Sequence, residues 1–533
     1  MALERLSQIT ESGIKTGITI SNASVTGVLT AVNELKVGTG VTINSGIVTA
    51  TGGFVGNLTG NVSATGASTF GGSTFSDNVG IKTTSATKTL DVRGDTQVAD
   101  LYYTADYPTI RPSLDLVFDK VKRLDSRVTF TRNSVGTYVG TDGLIKTAAA
   151  NEPRFDHDPI TGESLGFLIE EQRTNENIYS DDFTQDTVQN GTVTGNQTTA
   201  PDGTTTADKY AANSTDGIHR VDHAFTSGQI LNSTVYTFSV FAKANGYDKL
   251  HIRYAGYNAD NHGRGYDLSD GTTFDGKFDG TSSLGAVTSS SMIAYPNGWY
   301  RCIFTVTTAA DSASGIANVL YYISNSESTT NFAGDGISGM YFWGAQVEAG
   351  SFATSYIPTT TATVTRSVDV ASMTGTNFTS WYNQTEGTIF SQHSLIDGVD
   401  NNNNCYVYQV DNGTNNEVAF RLIDKNTYYS NPSKLTATTL TSASSITLLQ
   451  KSSASSGTTL HSTSYAVKTN DFAVTFDGAT VQADDSGTLP SNQTTLSIGY
   501  NSPANTAQLN GHIKRLTYYP RRLNNSQLQN ITL

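Results

Sequence analysis

The segment 251–266 combines aromatic and polar side chains in the way that sugar-binding sites do. Sugars stack their apolar ring faces on aromatic side chains, while polar side chains bind their hydroxyls. The candidate ligand-binding residues are Tyr254, Tyr257, Asn258, Asp260, His262, Arg264 and Tyr266. The alternative is that some of these tyrosines lie in a core or in a contact between subunits.

Two histidines, His219 and His223, have the i, i+4 spacing of a zinc-binding helix. Their neighbours Ile218, Val221 and Phe225 favour a strand and a turn instead. On a strand, residues four apart lie about 13 Å from each other, which is too far to share one ion. The glutamate of the zinc-protease motif is also missing, so we expect no zinc site here and no other metal or cofactor.

Adjacent carboxylates occur at Glu170 and Glu171. Glycosidases place two carboxylates about 5–9 Å apart across one sugar. Neighbouring residues of a strand point to opposite faces, so these two cannot form such a pair. Neither a nucleophile elbow nor a phosphate-binding loop occurs, and the sequence predicts a protein that is not an enzyme. A catalytic pair assembled between subunits would not be visible in the sequence.

The loop from Asp397 to Asn404 is rich in side-chain oxygens. Calcium takes six to eight oxygen ligands, and Asp and Asn in a loop can supply several. The spacing of a known calcium loop is absent, so a solvated hairpin loop is favoured over a calcium site.

Further aromatic residues raise the same question of core against binding surface. Tyr406, Tyr408, Tyr428 and Tyr429 are secondary binding candidates in the last part of the chain. Trp299 and Trp343 lie inside strong strand patterns and are predicted to be core residues.

The charge and cysteine content exclude several classes of protein. The 533 residues include 33 Lys and Arg and 47 Asp and Glu, which gives a net charge of −14. A negative charge disfavours nucleic acid or an anionic membrane as the partner. Cys302 and Cys405 are the only cysteines and cannot form a disulfide framework. No signal peptide or run of about 18 apolar residues is present. We therefore expect a chain made in a cytoplasm, without membrane insertion.

The elements that position these residues are predicted to be strands. Thr, Val, Tyr and Phe favour strands, and Gly, Asn, Asp and Ser fill turns. In residues 21–107, short alternating runs recur every six to ten positions. Strands this short cannot bury a face alone, but three chains around one axis would close their edges. We interpret residues 21–107 as a trimeric β-shaft; the alternative is a flexible linker.

A junction follows at residues 108–177. Leu114, Val117, Phe118, Val121 and Leu124 would share one face of a helix capped by Ser113, whereas alternation of Leu114, Leu116 and Phe118 indicates a strand. The pattern leaves both open. Turn-rich residues 133–177 predict a small β connector.

Long alternating runs separated by turns predict two β-sandwiches, at residues 178–360 and 361–533. The clearest runs are 235–242, 249–254, 299–306, 319–323, 340–347, 387–390, 404–410, 418–423, 471–476 and 511–519. Asn524 is predicted to cap a short C-terminal helix.

Several of these segments resemble those of tailed-phage head and tail fibres. Val79-Gly-Ile-Lys-Thr-Thr-Ser and Leu90-Asp-Val-Arg-Gly-Asp95 resemble repeats of phage fibre shafts, and residues 54–61 are similar to linker repeats of phage structural proteins. Residues 124–132 and 168–175 resemble segments common in phage fibres. Residues 343–359, with Thr365, Arg366 and Asp369, are similar to the closing segment of carbohydrate-binding-module-like jelly rolls in phage proteins. Residues 511–523 resemble the last strand of concanavalin/laminin-G-like domains.

Together these observations predict an all-β, elongated trimeric fibre. Residues 1–20 would attach to other virion proteins, residues 21–107 would form the shaft, and a jelly roll (178–360) and a concanavalin-like domain (361–533) would form the head. The expected function is non-catalytic, multivalent adhesion to host cell-surface polysaccharide, because linked weak sites gain avidity. The alternatives are a structural decoration or collar fibre and a depolymerase tailspike. The sequence leaves the glycan, the host and the attachment site on the particle open.

Overall fold

The computed structural model describes most of the chain beyond residue 107. The described residues are 79–81, 90–92, 108, 110–278, 284–396, 405–414, 416–423, 434–441, 445–451, 459–502 and 504–533. Residues 1–99 and 100–533 form separate units. The predicted attachment segment, most of the predicted shaft and the loop Asp397–Asn404 lie outside the described residues. In the described part, no helix is long and apolar enough to cross a membrane.

The first unit is described at two short strands. Strands β1 (Val79–Ile81) and β2 (Leu90–Val92) pair in parallel, with Val79 opposite Leu90. Both strands lie within residues 21–107, the predicted shaft.

Seven strands and one helical turn precede the first sandwich. They are β3 (Leu114–Val117), α1 (Phe118–Val121), β4 (Thr129–Thr131), β5 (Gly136–Val139), β6 (Ile145–Ala148), β7 (Arg154–His157), β8 (Ser164–Ile169) and β9 (Arg173–Asn175). The two interpretations of residues 113–124 are thus each correct over one part, because a strand ends where a helical turn begins. Ser113 does not cap that turn; its hydroxyl donates to the carbonyl of Trp381.

The first sandwich contains fourteen strands. They are β10 (Thr187–Gln189), β11 (Gly191–Thr198), β12 (Ala207–Ala212), β13 (Asp216–Ile218), β14 (Arg220–Ala224), β15 (Val235–Asn245), β16 (Lys249–Ala255), β17 (Asn261–Asp267), β18 (Thr272–Phe274), β19 (Ser289–Tyr295), β20 (Trp299–Thr307), β21 (Asn318–Ser324), β22 (Asn331–Ala333) and β23 (Gly339–Ala349). Short 3-10 turns lie at Phe183–Gln185, Tyr257–Ala259, Pro296–Gly298 and Ser312–Ser314.

Two six-stranded antiparallel sheets form this first sandwich. Their strand orders are β10-β14-β21-β16-β17-β18 and β11-β12-β23-β15-β20-β19. Apolar residues from the two sheets meet in one core, for example Ile252 and Tyr321 from the first and Phe238 and Phe304 from the second. The rings of Phe238 and Phe304 stack at 4.9 Å. The prediction of an all-β sandwich is confirmed for the strands between Thr187 and Ala349.

The remaining strands run to the C-terminus. They are β24 (Val364–Arg366), β25 (Val370–Thr374), β26 (Glu386–Leu395), β27 (Cys405–Asp411), β28 (Glu417–Ile423), β29 (Lys434–Leu440), β30 (Ser445–Lys451), β31 (His461–Lys468), β32 (Phe472–Phe476), β33 (Gln482–Asp484), β34 (Thr495–Ile498) and β35 (Gly511–Tyr519). Helix α2 spans Thr376–Thr379 and α3 spans Asn525–Thr532. The predicted cap of α3 is confirmed, since Asn524 and Gln527 form a capping box.

The second sandwich contains strands that precede the first sandwich in the chain and strands that follow it. Its sheets have the orders β30-β29-β28-β27-β34-β25-β4 and β33-β32-β31-β26-β35-β8-β7, and β3 also pairs with β35. Strands β3, β4, β7 and β8 lie in the segment predicted to be a separate connector. They complete the second sandwich instead, so the first sandwich is an insertion within it. Sequence periodicity gives the existence of these strands but not their distant partners.

The chain enters and leaves the inserted sandwich through one pair of strands, which we call the neck. Strands β9 and β24 pair there, with Arg173 opposite Arg366. Next to this pair, the backbone N–H of Asp369 donates to the carbonyl of Glu170 at 3.0 Å, and the N–H of Glu170 donates to the carboxylate of Asp369 at 2.9 Å.

A buried ion network occupies this neck. Arg154 donates to Glu170 at 2.6 Å and to Asp369 at 2.5 Å, and these three side chains have no solvent exposure. Arg132 contacts Asp369 at 3.2 Å, and Arg366 contacts Glu170 at 2.9 Å. Burial alone would raise the pKa of Glu170, but Arg366 and Arg154 hold it at about 2. The carboxylate is therefore ionised across the neutral range.

Candidate functional site

The candidate site lies on the first sandwich, around strands β16 and β17 and their connecting loop. Along β16 the side chains alternate: Leu250, Ile252 and Tyr254 enter the core, while Arg253 lies on the other face. Arg253 donates from Nε and Nη2 to the side-chain oxygen of Asn261 on β17, at 3.2 and 2.6 Å. This pair places a guanidinium and an amide together on the outer face of the sheet.

A second arginine approaches the same face. Arg220 on β14 and Arg253 both donate to the hydroxyl of Tyr322, at 3.0 and 3.5 Å. The guanidinium of Arg220 also lies 5.3 Å from the centre of the Tyr322 ring. Asp222 compensates the charge of Arg220 at 2.8 Å. Arg253 forms no ion pair with any residue that the structure describes, so this face carries an excess positive charge.

The loop between β16 and β17 presents one exposed aromatic ring. Tyr257 is 43% exposed. Its other side packs on Gly315, where a Cβ atom would lie 2.1 Å from the Tyr257 ring. Asn258 adopts a positive φ of 53° and donates from its amide to Asp311 at 3.1 Å. The loop therefore presents a partly exposed ring that lies against Gly315 and next to polar groups.

Two of the seven predicted binding residues require correction. Tyr254 and Tyr266 have 0% exposure and belong to the core of the first sandwich. The hydroxyl of Tyr266 donates to the carbonyl of Ile303 at 2.8 Å. A stacking platform needs an accessible ring face, which neither tyrosine has. The core alternative is the correct one for both.

The remaining predicted residues have positioning contacts. Asp260 accepts from the backbone N–H of Ala309 and from the hydroxyl of Ser312, at 2.9 and 2.7 Å. His262 uses both ring nitrogens, toward Asp260 at 2.9 Å and toward the carbonyl of Ala286 at 2.8 Å. Asp260 and His262 thus fasten the Tyr257 loop to neighbouring loops.

Arg264 lies apart from that cluster, toward strand β18. Its guanidinium pairs with Asp275 at 2.8 Å and is partly exposed. Residues 251–266 therefore do not form one continuous binding surface. Tyr257 and Asn258 remain exposed candidates, and Arg253, Asn261 and Arg220 join them, although the sequence interpretation did not select these three. The alternation of β16 is the signal that could have indicated Arg253.

His219 and His223 lie at and within a strand rather than on a helix, as predicted. His219 lies between β13 and β14 and directs both ring nitrogens at carbonyl oxygens, of Asn190 at 2.6 Å and Phe332 at 2.9 Å. His223 on β14 contacts Asp186 at 2.8 Å. Among the described residues, no group of three His, Cys, Asp or Glu side chains could hold a metal ion.

The carboxylates of Glu170 and Glu171 also have separate partners. Glu170 belongs to the buried network at the neck, whereas Glu171 pairs with Arg173 at 2.5 Å and is partly exposed. A glycosidase pair across one sugar is therefore not formed by these two residues, as their adjacency predicts.

The remaining aromatic candidates are mostly core residues. Trp299 and Trp343 are each 1% exposed, which confirms that prediction. Tyr406 and Tyr408 are buried at 3% and 1%, so the predicted secondary binding surface is corrected at these two positions. Tyr428 and Tyr429 lie outside the described residues. Both cysteines are buried, and burial raises the pKa of the Cys302 thiol.

Solved structures similar to parts of the chain have low sequence identity. The CBM40 of Ruminococcus gnavus IT-sialidase, bound to alpha2,3 sialyllactose, is 12% identical over 29% of this chain and 86% of its own, with a TM-score of 0.25. Domains LG4-5 of the mouse laminin alpha1 chain are 11% identical over 59% and 91%, with a TM-score of 0.20. The tandem CBM22 domains of Paenibacillus barcinonensis Xyn10C are 6% identical over 62% and 91%, with a TM-score of 0.19.

No protein-family model matches the sequence, and no curated protein matches it. The all-β architecture therefore rests on the sheets and cores described above.

Proposed function

We propose that this chain binds glycans without catalysis, through the outer face of β16 and β17 and the loop between them. The observation that carries the proposal is the Tyr257 ring, which lies against Gly315 and is 43% exposed. A sugar can stack on such a ring while Arg253 and Asn261 take its hydroxyls.

Non-catalytic binding fits the state of the carboxylate in this loop. Asp260 uses one oxygen for His262 and the other for Ala309 and Ser312. A general acid or base needs a proton-exchanging contact with the substrate, which these internal bonds already occupy. Asp260 is thus better suited to holding the loop than to proton transfer.

The wider proposal is a trimeric fibre of a tailed-phage particle. The resemblance of residues 79–95, 124–132 and 168–175 to phage fibre segments supports it, together with the short-strand pattern of residues 21–107. In this proposal residues 1–20 attach to other virion proteins, and the sandwiches contact host polysaccharide. Three linked copies of a shallow site would raise avidity by about 10²–10⁴.

The test is binding of the labelled full-length protein to permissive cells before and after glycan stripping. We expect saturable binding that stripping removes and that Tyr257→Ala weakens. The matched control is Ile337→Ala, because Ile337 is an exposed residue outside the site. Unaltered binding after stripping would contradict glycan recognition, and no binding to any permissive cell would favour a structural fibre.

Two further measurements test the non-catalytic part and the trimeric part of the proposal. New reducing ends after incubation with purified host polysaccharide would indicate a depolymerase and overturn the non-catalytic part. A monomeric mass for the full-length protein, measured by light scattering, would overturn the trimeric part.

A further inference from the structure

Three neighbouring strands of the first sandwich bring two lysines to either side of a tyrosine. Tyr341 on β23 lies opposite Lys209 on β12 and, on its other side, opposite Lys243 on β15. Adjacent strands lie about 4.8 Å apart, so the Cα atoms of the two lysines are about 10 Å apart with the tyrosine between them. We call these three residues the Lys-Tyr-Lys row.

The row lies on the outer face of its sheet. The residues next to it in the chain include Tyr210, Phe342 and Ala242, which belong to the core of the first sandwich. Because successive side chains of a strand point to opposite faces, the members of the row point away from that core. All three are partly exposed. The surface around Tyr257 belongs to the other sheet, so the row lies on the opposite side of this sandwich.

The ammonium groups of the two lysines are accessible and uncompensated. Neither Lys209 nor Lys243 forms an ion pair or a side-chain hydrogen bond with any residue that the structure describes, and neither ammonium nitrogen is buried. Three other lysines on strands or turns, Lys146, Lys249 and Lys514, pair with carboxylates at 2.8, 2.9 and 2.9 Å. Two uncompensated positive charges in one small area favour an anionic ligand.

Tyr341 adds an aromatic surface between the two charges. It packs against the buried cluster that contains Trp343, and its hydroxyl accepts from the amide of Asn245 at 3.2 Å. A sugar can place an apolar face on the accessible part of such a ring. Thr194 on β11 lies opposite Lys209 and is exposed, so it extends the row by one hydroxyl group.

The two lysines together suit one doubly charged group. A lysine carries its charge on a flexible four-carbon stem, so both ammonium groups can approach one group above Tyr341. A phosphate monoester carries about −1.5 to −2 charges at pH 7, which matches two lysines better than the single charge of a carboxylate. Lysine binds phosphate as a point charge, whereas the planar fork of arginine matches a carboxylate.

We propose that the Lys-Tyr-Lys row binds a phosphorylated sugar, with the phosphate between the two ammonium groups and the sugar ring on Tyr341. The assignment of this sugar to a cell-surface polysaccharide rests on the proposed function. The row is separate from the surface around Tyr257, so one polysaccharide chain or two can contact both sides of the sandwich.

The test measures binding of four probes to the full-length protein by ligand-observed NMR at neutral pH. The probes are glucose 6-phosphate, glucuronate, glucose and inorganic phosphate. We expect glucose 6-phosphate to bind about tenfold more tightly than glucose, the effect of two exposed ion pairs, and more tightly than glucuronate. Inorganic phosphate should bind more weakly than glucose 6-phosphate, because it has no sugar ring to contact Tyr341. Equal affinity for the two phosphates would indicate an anion site without sugar recognition and would overturn the proposal.

Variants of the row locate the site. Lys209→Gln and Lys243→Gln should each weaken glucose 6-phosphate binding about two- to fivefold, and the double variant should bind glucose 6-phosphate no better than glucose. The matched control is Lys146→Gln, which removes a paired lysine elsewhere. Tyr341→Leu should lower the affinity for glucose 6-phosphate to that for inorganic phosphate. Unchanged binding by the double lysine variant would overturn the proposal even if Tyr341→Leu failed to fold.

Two outcomes distinguish this site from the proposed function of the chain. Cell binding that glycan stripping removes, together with equal affinity for glucose 6-phosphate and glucose, would overturn the sugar-phosphate site alone. Cell binding that survives stripping, together with glucose 6-phosphate binding that the lysine variants remove, would overturn the proposed function and support the sugar-phosphate site.

Discussion

Arg154 and Asp369 form an ion pair at 2.5 Å although 215 positions separate them in the chain. Arg154 lies on β7 of the second sandwich, and Asp369 follows the end of the inserted first sandwich. Because Arg154 also donates to Ser355 of the inserted sandwich at 2.7 Å, one guanidinium joins both domains at the neck.

Two carboxylates bind the segment that follows β23 at the same neck. Glu170 accepts from the N–H and the hydroxyl of Ser355, both at 2.7 Å. Glu348 accepts from the N–H and the hydroxyl of Thr354, at 2.9 and 2.7 Å. These residues attach the inserted first sandwich to the second sandwich.

The buried network should be sensitive to the loss of one charge. Glu170→Gln leaves Arg154 and Arg366 with one carboxylate fewer, and we expect a loss of about 3–5 kcal/mol in the free energy of unfolding. The control is Glu163→Gln, whose exposed pair with Lys514 should contribute about 0–1 kcal/mol. Urea unfolding of both variants measures the difference, and equal losses would contradict a structural role of the network.

Substitutions of the exposed Tyr257 and of the buried Tyr266 should affect glycan binding and protein stability separately. Tyr257→Ala should weaken glycan binding about tenfold with little change in the unfolding midpoint, because its ring is partly exposed. Tyr266→Phe should leave binding unchanged and cost about 1 kcal/mol, since the buried bond to Ile303 is lost. Cell binding and thermal unfolding of the two variants provide the measurements. The reverse pattern would show that the ligand does not use the loop.

Arg253, which forms no ion pair with any described residue, should favour carboxylated glycans. On the proposed function, acidic oligosaccharides should bind more tightly than neutral ones of equal length, and added salt should reduce that difference. Arg253→Leu should remove the preference, whereas Arg127→Leu, which breaks a partly exposed pair with Asp125 elsewhere, should keep it. Glycan-array binding at two salt concentrations measures this. A preference for neutral glycans in the unaltered protein would refute it.

Asp181 should make stability depend on pH. Burial, opposed by the hydroxyl of Tyr356, raises the pKa of Asp181 from 3.8 to about 6. The unfolded state loses its proton first, so this group's contribution falls by about 3 kcal/mol as pH rises from about 4 to 6. Asp181→Asn should therefore gain stability relative to the unaltered protein over this range. Urea unfolding at pH 4 and 7 tests it, and a constant difference would exclude this cause.

A side chain at Gly350 should displace the guanidinium of Arg173. Its φ is +138°, and a Cβ there would lie 1.4 Å from Nη1 of Arg173, whose guanidinium packs over Phe352. Gly350→Ala should destabilise the protein by more than Gly336→Ala. Gly336 has a φ of +78° and no neighbour within 4 Å, so its substitution costs backbone strain alone, about 1 kcal/mol. Comparable unfolding midpoints would contradict the steric argument.

Local patterns predicted the strands well and their partners poorly. The alternation at 235–242 and 511–519 corresponds to β15 and β35 because burial of one face imposes a period of two on a strand. The same alternation could not show that β8 pairs with β35, since that contact joins segments more than 340 positions apart. It also could not show that β3, β4, β7 and β8 belong to the second sandwich.

The sequence by itself determined the class of fold, the core tryptophans and the capped C-terminal helix, because turn chemistry, alternation and capping are local. It also identified the loop with Tyr257 and Asn258 as a candidate surface. Only the tertiary structure decided which tyrosines were exposed, since Tyr254 and Tyr257 differ in burial although only two residues separate them. The ion network and the Lys-Tyr-Lys row were likewise decided by long-range packing, which brings together side chains that no local pattern relates.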